Sequence, residues 1–138
     1  MEDKKDKSER SKYLNSEKEK QEARKTFYTE QIKELKKALE SNQKEIEYNE
    51  GWISFHKDSI EKHKETIEKT PLLDEKLDQE EKLKFHVEQI KEHHEKTIKF
   101  HEREIDFTKK EIEFFEKGIK KCEEQLVFLN KKIEENKK

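Results

Sequence analysis

A seven-residue repeat of isoleucine and leucine is the feature that most constrains how this chain can fold. In the C-terminal half it runs through Ile98, Ile105, Ile112, Ile119, Leu126 and Ile133. An apolar residue at every seventh position gives a helix one narrow apolar face, which is typical of helices that wind around a partner helix. A second series with the same spacing lies in the N-terminal half, at Ile32, Leu39, Ile46, Ile53, Ile60 and Ile67. We call these positions a, and the positions three residues further on d.

The composition fits long helices better than a globular core. Of the 138 residues, 49% are charged and only 28% are hydrophobic, which is far fewer apolar residues than a globular domain of this size carries. Such a composition is also found in disordered chains that fold on binding. The regular spacing of the apolar residues favours helices with narrow buried faces. The sequence therefore predicts an all-α fold.

A single proline divides the two repeats. Pro71 cannot continue a helix, because its ring clashes with the preceding turn and it lacks a backbone N–H. We predict a polar, frayed or disordered tail at 1–12, helix one at 13–69, a turn at 70–76 and helix two at 77–136, capped by Asp74 or Asp78. Gly51 is a candidate break in helix one, because glycine is a poor helix former, but the repeat keeps its phase across it. We therefore expect one continuous helix there.

Two long helices joined by a short turn can pack antiparallel. The prediction is a single elongated domain, a coiled-coil hairpin of two helices of about 55–60 residues, paired into a larger helical bundle. A register centred on Leu73 places Ile60 opposite His86, Ile46 opposite His101 and Ile32 opposite Phe115. The step from Ile90 to Ile98 is one residue too long, which predicts an insertion near Thr97. The residues predicted to close the hairpin are Ile32, Leu39, Ile46, Ile53, Ile60, Leu83, Ile90, Ile98, Ile105, Ile112, Ile119, Leu126 and Ile133.

Most aromatic residues lie at a third position, c, which is about 200° around the helix from a. The c positions include Phe27, Tyr48, Phe55, Phe85, Phe100, Phe107, Phe114 and Phe128. One interpretation is that the apolar face is broad and c only flanks it. We favour an exposed stripe that binds a partner, since exposed apolar stripes commonly mark interaction surfaces. The simplest partner is a second hairpin, giving a homodimer or larger homo-oligomer; the alternative is a helix of another protein.

Five of the six histidines are placed at d by the repeat, namely His56, His63, His86, His93 and His101, with His94 as the exception. Imidazoles suit zinc and related metals. However, no two of them have the spacing that clips a metal on one helix face, and no Glu-x-x-His pattern is present. We predict a structural role, with polar d residues fixing the register, and sensitivity to acid as a consequence.

The remaining features argue against several classes of function. The 33 basic and 35 acidic residues leave no basic field for nucleic acid, and no segment is apolar enough to span a membrane. No motif for catalysis, a cofactor or a small-molecule substrate is present. Cys122 lacks an intrachain partner, and the start of the chain resembles no secretory signal, so we expect a cytoplasmic protein.

We therefore predict a non-enzymatic scaffold, spacer or adaptor that acts through self-association and helix–helix binding. Two alternatives remain open at this point. One is a metal- or pH-responsive helical binding module that uses the d-position histidines. The other is a structural arm associated with nucleic acid.

Overall fold

The fold is an all-α helical hairpin, as predicted. The computed structural model describes residues 4–138, which contain α1 (Lys4–Lys69), α2 (Leu73–Gln89), a π-helical turn (Ile90–His94) and α3 (Glu95–Lys137). The π turn joins α2 to α3 without a break in helical backbone, so two long helices, 4–69 and 73–137, pack against each other. Residues 4–138 contain no strand.

The first helix begins earlier than the predicted residue 13. It starts at Lys4, so residues 4–12 of the predicted polar tail are helical, and residues 1–3 lie outside the described part. Two contacts hold this end of the helix. Leu14 is buried, and the Asn136 side chain donates a hydrogen bond to the Lys7 carbonyl over 3.1 Å. Contact with α3 thus extends the helix beyond the region that the apolar repeat marks.

The turn is shorter than the predicted 70–76. It consists of Thr70–Leu72, and the Thr70 hydroxyl donates a hydrogen bond across it to Glu75 Oε2 over 2.6 Å. No side chain caps α2, so the predicted caps Asp74 and Asp78 are not used as such. Asp74 instead lies in the first turn of α2, where its negative charge opposes the helix dipole favourably.

The early start of α2 moves the antiparallel register by four residues along α1. In the structure His86 meets His56 instead of Ile60, His101 meets Asn42 instead of Ile46, and Phe115 meets Tyr28 instead of Ile32. The prediction set each polar d residue opposite an isoleucine or leucine, and this was wrong. Buried polar groups need hydrogen-bond partners, and in the observed register the polar side chains of one helix lie opposite polar side chains of the other.

The predicted one-residue insertion is present, but it lies at the π turn rather than near Thr97. A π-helical turn closes its hydrogen bonds over one more residue than an α-helix does, so it absorbs an extra residue within a continuous helix. Ile90, at the start of this turn, is buried, and Ile98 beyond it is half-buried. Both isoleucines thus keep contact with α1 despite the irregular spacing.

Internal contacts divide the chain into two compact units. One, the terminal unit, contains the chain up to Lys37 together with Thr108–Lys138; the other, the turn unit, is Ala38–Phe107. In both units the a-position isoleucines and leucines predicted to close the hairpin are buried or half-buried. Within residues 4–138, no helix is both long and apolar enough to cross a bilayer.

The two glycines occupy very different surroundings. Gly51 lies inside α1, which continues through it as predicted, although a mid-helix glycine costs about 1 kcal/mol relative to alanine. A Cβ placed at Gly51 would meet no atom within 4 Å. A Cβ at Gly118, in contrast, would lie 2.8 Å from Cε2 of Tyr28. The close approach of this ring to α3 therefore requires glycine at 118.

Candidate interaction surface

A column of histidines connects the two helices of the turn unit. Nδ1 of His56 in α1 lies 2.6 Å from Nδ1 of His86 in α2. The His86 ring also stacks on that of His63, with centroids 5.4 Å apart, and His63 Nδ1 donates a hydrogen bond to Gln79 Oε1. His56 is buried and His86 is half-buried. Polar d residues thus hydrogen-bond to one another across the hairpin.

Further from the turn, two asparagine–histidine pairs repeat the same arrangement seven residues apart. Asn49 Oδ1 accepts a hydrogen bond from His94 Nδ1 over 2.9 Å, and Asn49 Nδ2 donates to the Glu45 carbonyl over 2.8 Å. Asn42 Oδ1 likewise accepts a hydrogen bond from His101 Nδ1 over 2.6 Å, and Asn42 Nδ2 donates to the Ala38 carbonyl over 2.9 Å. The side-chain amide of each asparagine thus has both a donor and an acceptor partner, and it orients one imidazole.

The π turn exchanges the predicted roles of two neighbouring histidines. The heptad repeat placed His93 in the interface and His94 outside it. In the structure His93 is exposed and His94 is buried, with 6% of its surface accessible. The extra residue rotates the helix surface by one position at this point, and His94 comes to face Asn49. The eight-residue step in the repeat was the signal for this exchange.

Three of these histidines resist protonation. Burial, followed by repulsion from His94, lowers the pKa of His56 below its usual 6.5. Burial, followed by the imidazoles of His56 and His63, lowers the pKa of His86. Burial and then the neighbouring His93 lower the pKa of His94. In all three cases the cause is loss of water and the proximity of other imidazoles, so the cluster prefers to stay neutral.

The histidine cluster lacks the ligand arrangement of a metal centre. Across residues 4–138, no group of three or more histidine, cysteine, aspartate or glutamate side chains is positioned to hold a metal ion. The Nδ1 atoms of His94 and His101 are already used as donors to amide oxygens. Structural hydrogen bonding therefore accounts for these side chains.

The c-position aromatics lie on the surface. The exposed fractions are Phe27 52%, Tyr48 62%, Phe55 53%, Phe85 53%, Phe100 55%, Phe107 62%, Phe114 69% and Phe128 53%. The alternative, in which c only flanks a broad buried face, would leave these rings largely covered. Side chains of this size dominate the energetics of protein interfaces when they become buried. They account for most of the large apolar side chains that are exposed within residues 4–138.

Trp52 is an interface residue that the heptad reading did not single out. Its indole stacks parallel to His94 with centroids 6.2 Å apart, and it meets the edges of Tyr48 and Phe55. The Tyr48 ring lies one helical turn before Trp52 and the Phe55 ring one turn after, so their spacing could have revealed the cluster. A shallow groove of about 460 Å³ runs over Gly51 between these rings.

In the terminal unit, Cys122 is a buried free cysteine. The register derived from the sequence placed it opposite Lys25. Lys25 instead forms an ion pair with the adjacent Glu123, with Nζ and Oε1 3.3 Å apart. The Tyr28 ring packs against Phe115, with centroids 5.6 Å apart, and covers Gly118. Cys122 is thus part of ordinary interior packing.

No family model matches the chain, and comparisons with curated proteins and with solved structures found no match either.

Proposed function

We propose that this protein is a non-enzymatic coiled-coil scaffold or adaptor that works by self-association of its helical hairpin. The observation that carries the proposal is that more than half of the surface of each c-position aromatic is exposed, in a chain with few apolar residues. Each ring leaves on the order of 100 Å² in water. Covering one of them contributes roughly 2.5 kcal/mol before the entropic cost of association.

The charge balance supports a second copy as the partner. The formal net charge is only −2, so two copies experience little net repulsion at neutral pH. Acidic and basic residues are interspersed along the helices, which allows complementary pairs between copies. The single free cysteine fits a reducing compartment, and we propose a cytoplasmic location on that ground.

Mass determination by sedimentation equilibrium tests the proposal. We expect the wild-type chain to be a dimer or larger oligomer at micromolar concentration. The double variant Tyr48→Glu with Phe55→Glu should dissociate at least about a hundredfold more readily, because two exposed rings are replaced by charges.

A matched control separates loss of the rings from added charge. The pair Gln43→Glu and Gln125→Glu adds the same two negative charges at exposed positions and removes no ring. It should associate as the wild type does. A wild-type chain that remains a 17.0 kDa monomer at high concentration would refute self-association, and retention of another helical protein by the monomer would then favour the adaptor role alone.

A second candidate is a pH-responsive binding module. It is supported by the direct Nδ1–Nδ1 contact between His56 and His86, which is lost when both rings are protonated. Urea unfolding of the wild-type chain at pH 7.5 and 5.5 tests it.

A further inference from the structure

Packing within the turn unit does not explain the glycine at position 51. Its backbone is helical and does not have a positive φ, so no special conformation requires glycine. A Cβ would have open space around it. Glycine is among the poorest helix formers, and Gly118 shows what an internal requirement looks like in this chain. Within the turn unit no atom contacts this position, so the absent side chain at 51 would matter only to a neighbour from outside the hairpin.

The surface around Gly51 is shaped to receive a helix. Tyr48 and Phe55 lie one turn before and one turn after Gly51 on the same face of α1, and both rings are more than half exposed. The groove between them has Gly51 as part of its lining. A missing Cβ lets another backbone approach closely, which brings flanking aromatic rings into contact with the approaching helix.

We propose that a second copy of this chain occupies this surface, with its α1 antiparallel and the two-fold axis passing beside Gly51. This inference rests on the self-association proposed above and specifies where it occurs. A two-fold contact is formed by the same patch on both copies, so a residue before Gly51 meets the residue equally far after it on the other copy.

The charges on this face fit that symmetry. Seven residues either side of Gly51, Lys44 meets Asp58 of the other copy; eleven residues either side, Glu40 meets Lys62. All four are exposed, and among residues 4–138 none of these side chains belongs to an ion pair. A parallel arrangement would instead place each of these charges beside the identical residue of the other copy, where the two charges repel. The pattern thus favours an antiparallel second copy over a parallel one.

The first experiment replaces the glycine with a longer polar residue that forms helices well. Gly51→Gln should raise the thermal midpoint of unfolding of the dilute protein, because helix propensity improves. It should also weaken the dimer at least about tenfold in sedimentation equilibrium, because the new side chain fills the groove. Ser41→Gln, at an exposed position of α1 outside the groove, is the matched control and should leave the dimer unchanged.

The second experiment tests the antiparallel arrangement by charge reversal at low salt. Lys44→Asp alone and Asp58→Lys alone should each weaken association, by roughly three- to tenfold for exposed pairs of this kind. The double variant should restore it, since the reversed charges again meet opposite signs across the two-fold axis. A double variant that is as weak as the single ones would overturn the antiparallel pairing.

These results also separate this inference from the function it rests on. A wild-type dimer that is unaffected by Gly51→Gln and by the charge reversals associates through another surface, which refutes the Gly51 contact and leaves self-association standing. A wild-type monomer refutes both.

Discussion

Acidification should loosen the turn unit, because His56 and His86 share a hydrogen bond that two protonated rings cannot form. In the neutral pair one Nδ1 donates and the other accepts. One added proton can be held on the donor ring, whereas a second makes both Nδ1 atoms donors and breaks the contact. The Nδ1 of His101, in contrast, faces the amide oxygen of Asn42, which can only accept a hydrogen bond.

The sign and size of the effect follow from proton linkage. The folded-state pKa of His56, His86 and His94 lies below the usual 6.5, so the unfolded chain binds more protons as the pH falls below that value. Stability is therefore full above about pH 6.5 and is lost as the pH falls towards the folded-state pKa. Each withheld proton costs about 1.4 kcal/mol per pH unit. Because His86 is only half-buried, we expect a loss of about 1–3 kcal/mol between pH 6.5 and 5.5.

Urea unfolding at pH 7.5, 6.5 and 5.5, at one protein concentration, measures this loss. Circular dichroism reports the helices, and the fluorescence of Trp52, the single tryptophan, reports the turn unit beside His56 and His94. His86→Gln should reduce the pH dependence, because an amide can donate or accept. His101→Gln, the control, removes an imidazole that takes no part in the His56–His86 contact and should leave the pH dependence in place. Superimposable wild-type curves at pH 7.5 and 5.5 would contradict the reasoning.

Two further predictions concern backbone fit. Gly118→Ala should lower the free energy of unfolding by about 1–3 kcal/mol, despite better helix propensity, because its Cβ would overlap the Tyr28 ring. The loss should largely disappear on a Tyr28→Leu background. Urea unfolding that shows no loss would count against the close contact. Deleting Glu92, an exposed residue of the π turn, should restore seven-residue spacing and keep stability within about 1 kcal/mol. Deleting Glu113 from regular α3 should instead abolish cooperative thermal unfolding, and equal melting of the two deletions would show that the π turn is not where the extra residue is absorbed.

The hairpin was predictable because it depends on spacing. Isoleucine at every seventh residue and one proline are local signals, and they are sufficient for two antiparallel helices. The eight-residue step from Ile90 to Ile98 likewise predicted an insertion, although not the π turn itself. Exposure of rings such as Phe107 followed from the angular separation of c from a.

The register was not predictable from the same signals. A heptad pattern states which face is buried but not which turn of the partner helix it meets, so the error of four residues came from the length assumed for the turn. The hydrogen bond between Thr70 and Glu75 closes a shorter turn, and this contact is not visible in the repeat. The exchange of His93 for His94 could be seen only once the irregularity was placed at Ile90–His94.

The π turn has a consequence for how the chain finds its alignment. A strict heptad repeat has translational symmetry, so two helices that slide by seven residues present nearly the same apolar face to each other. Misaligned hairpins would then compete with the native one during folding. The π turn occurs once in residues 4–138, and it turns His94 towards Asn49. A slip of seven residues that sets His94 against Asn42 carries His101 on to Leu35, where its imidazole has no amide partner. The two asparagines together therefore mark one alignment along an otherwise repetitive helix.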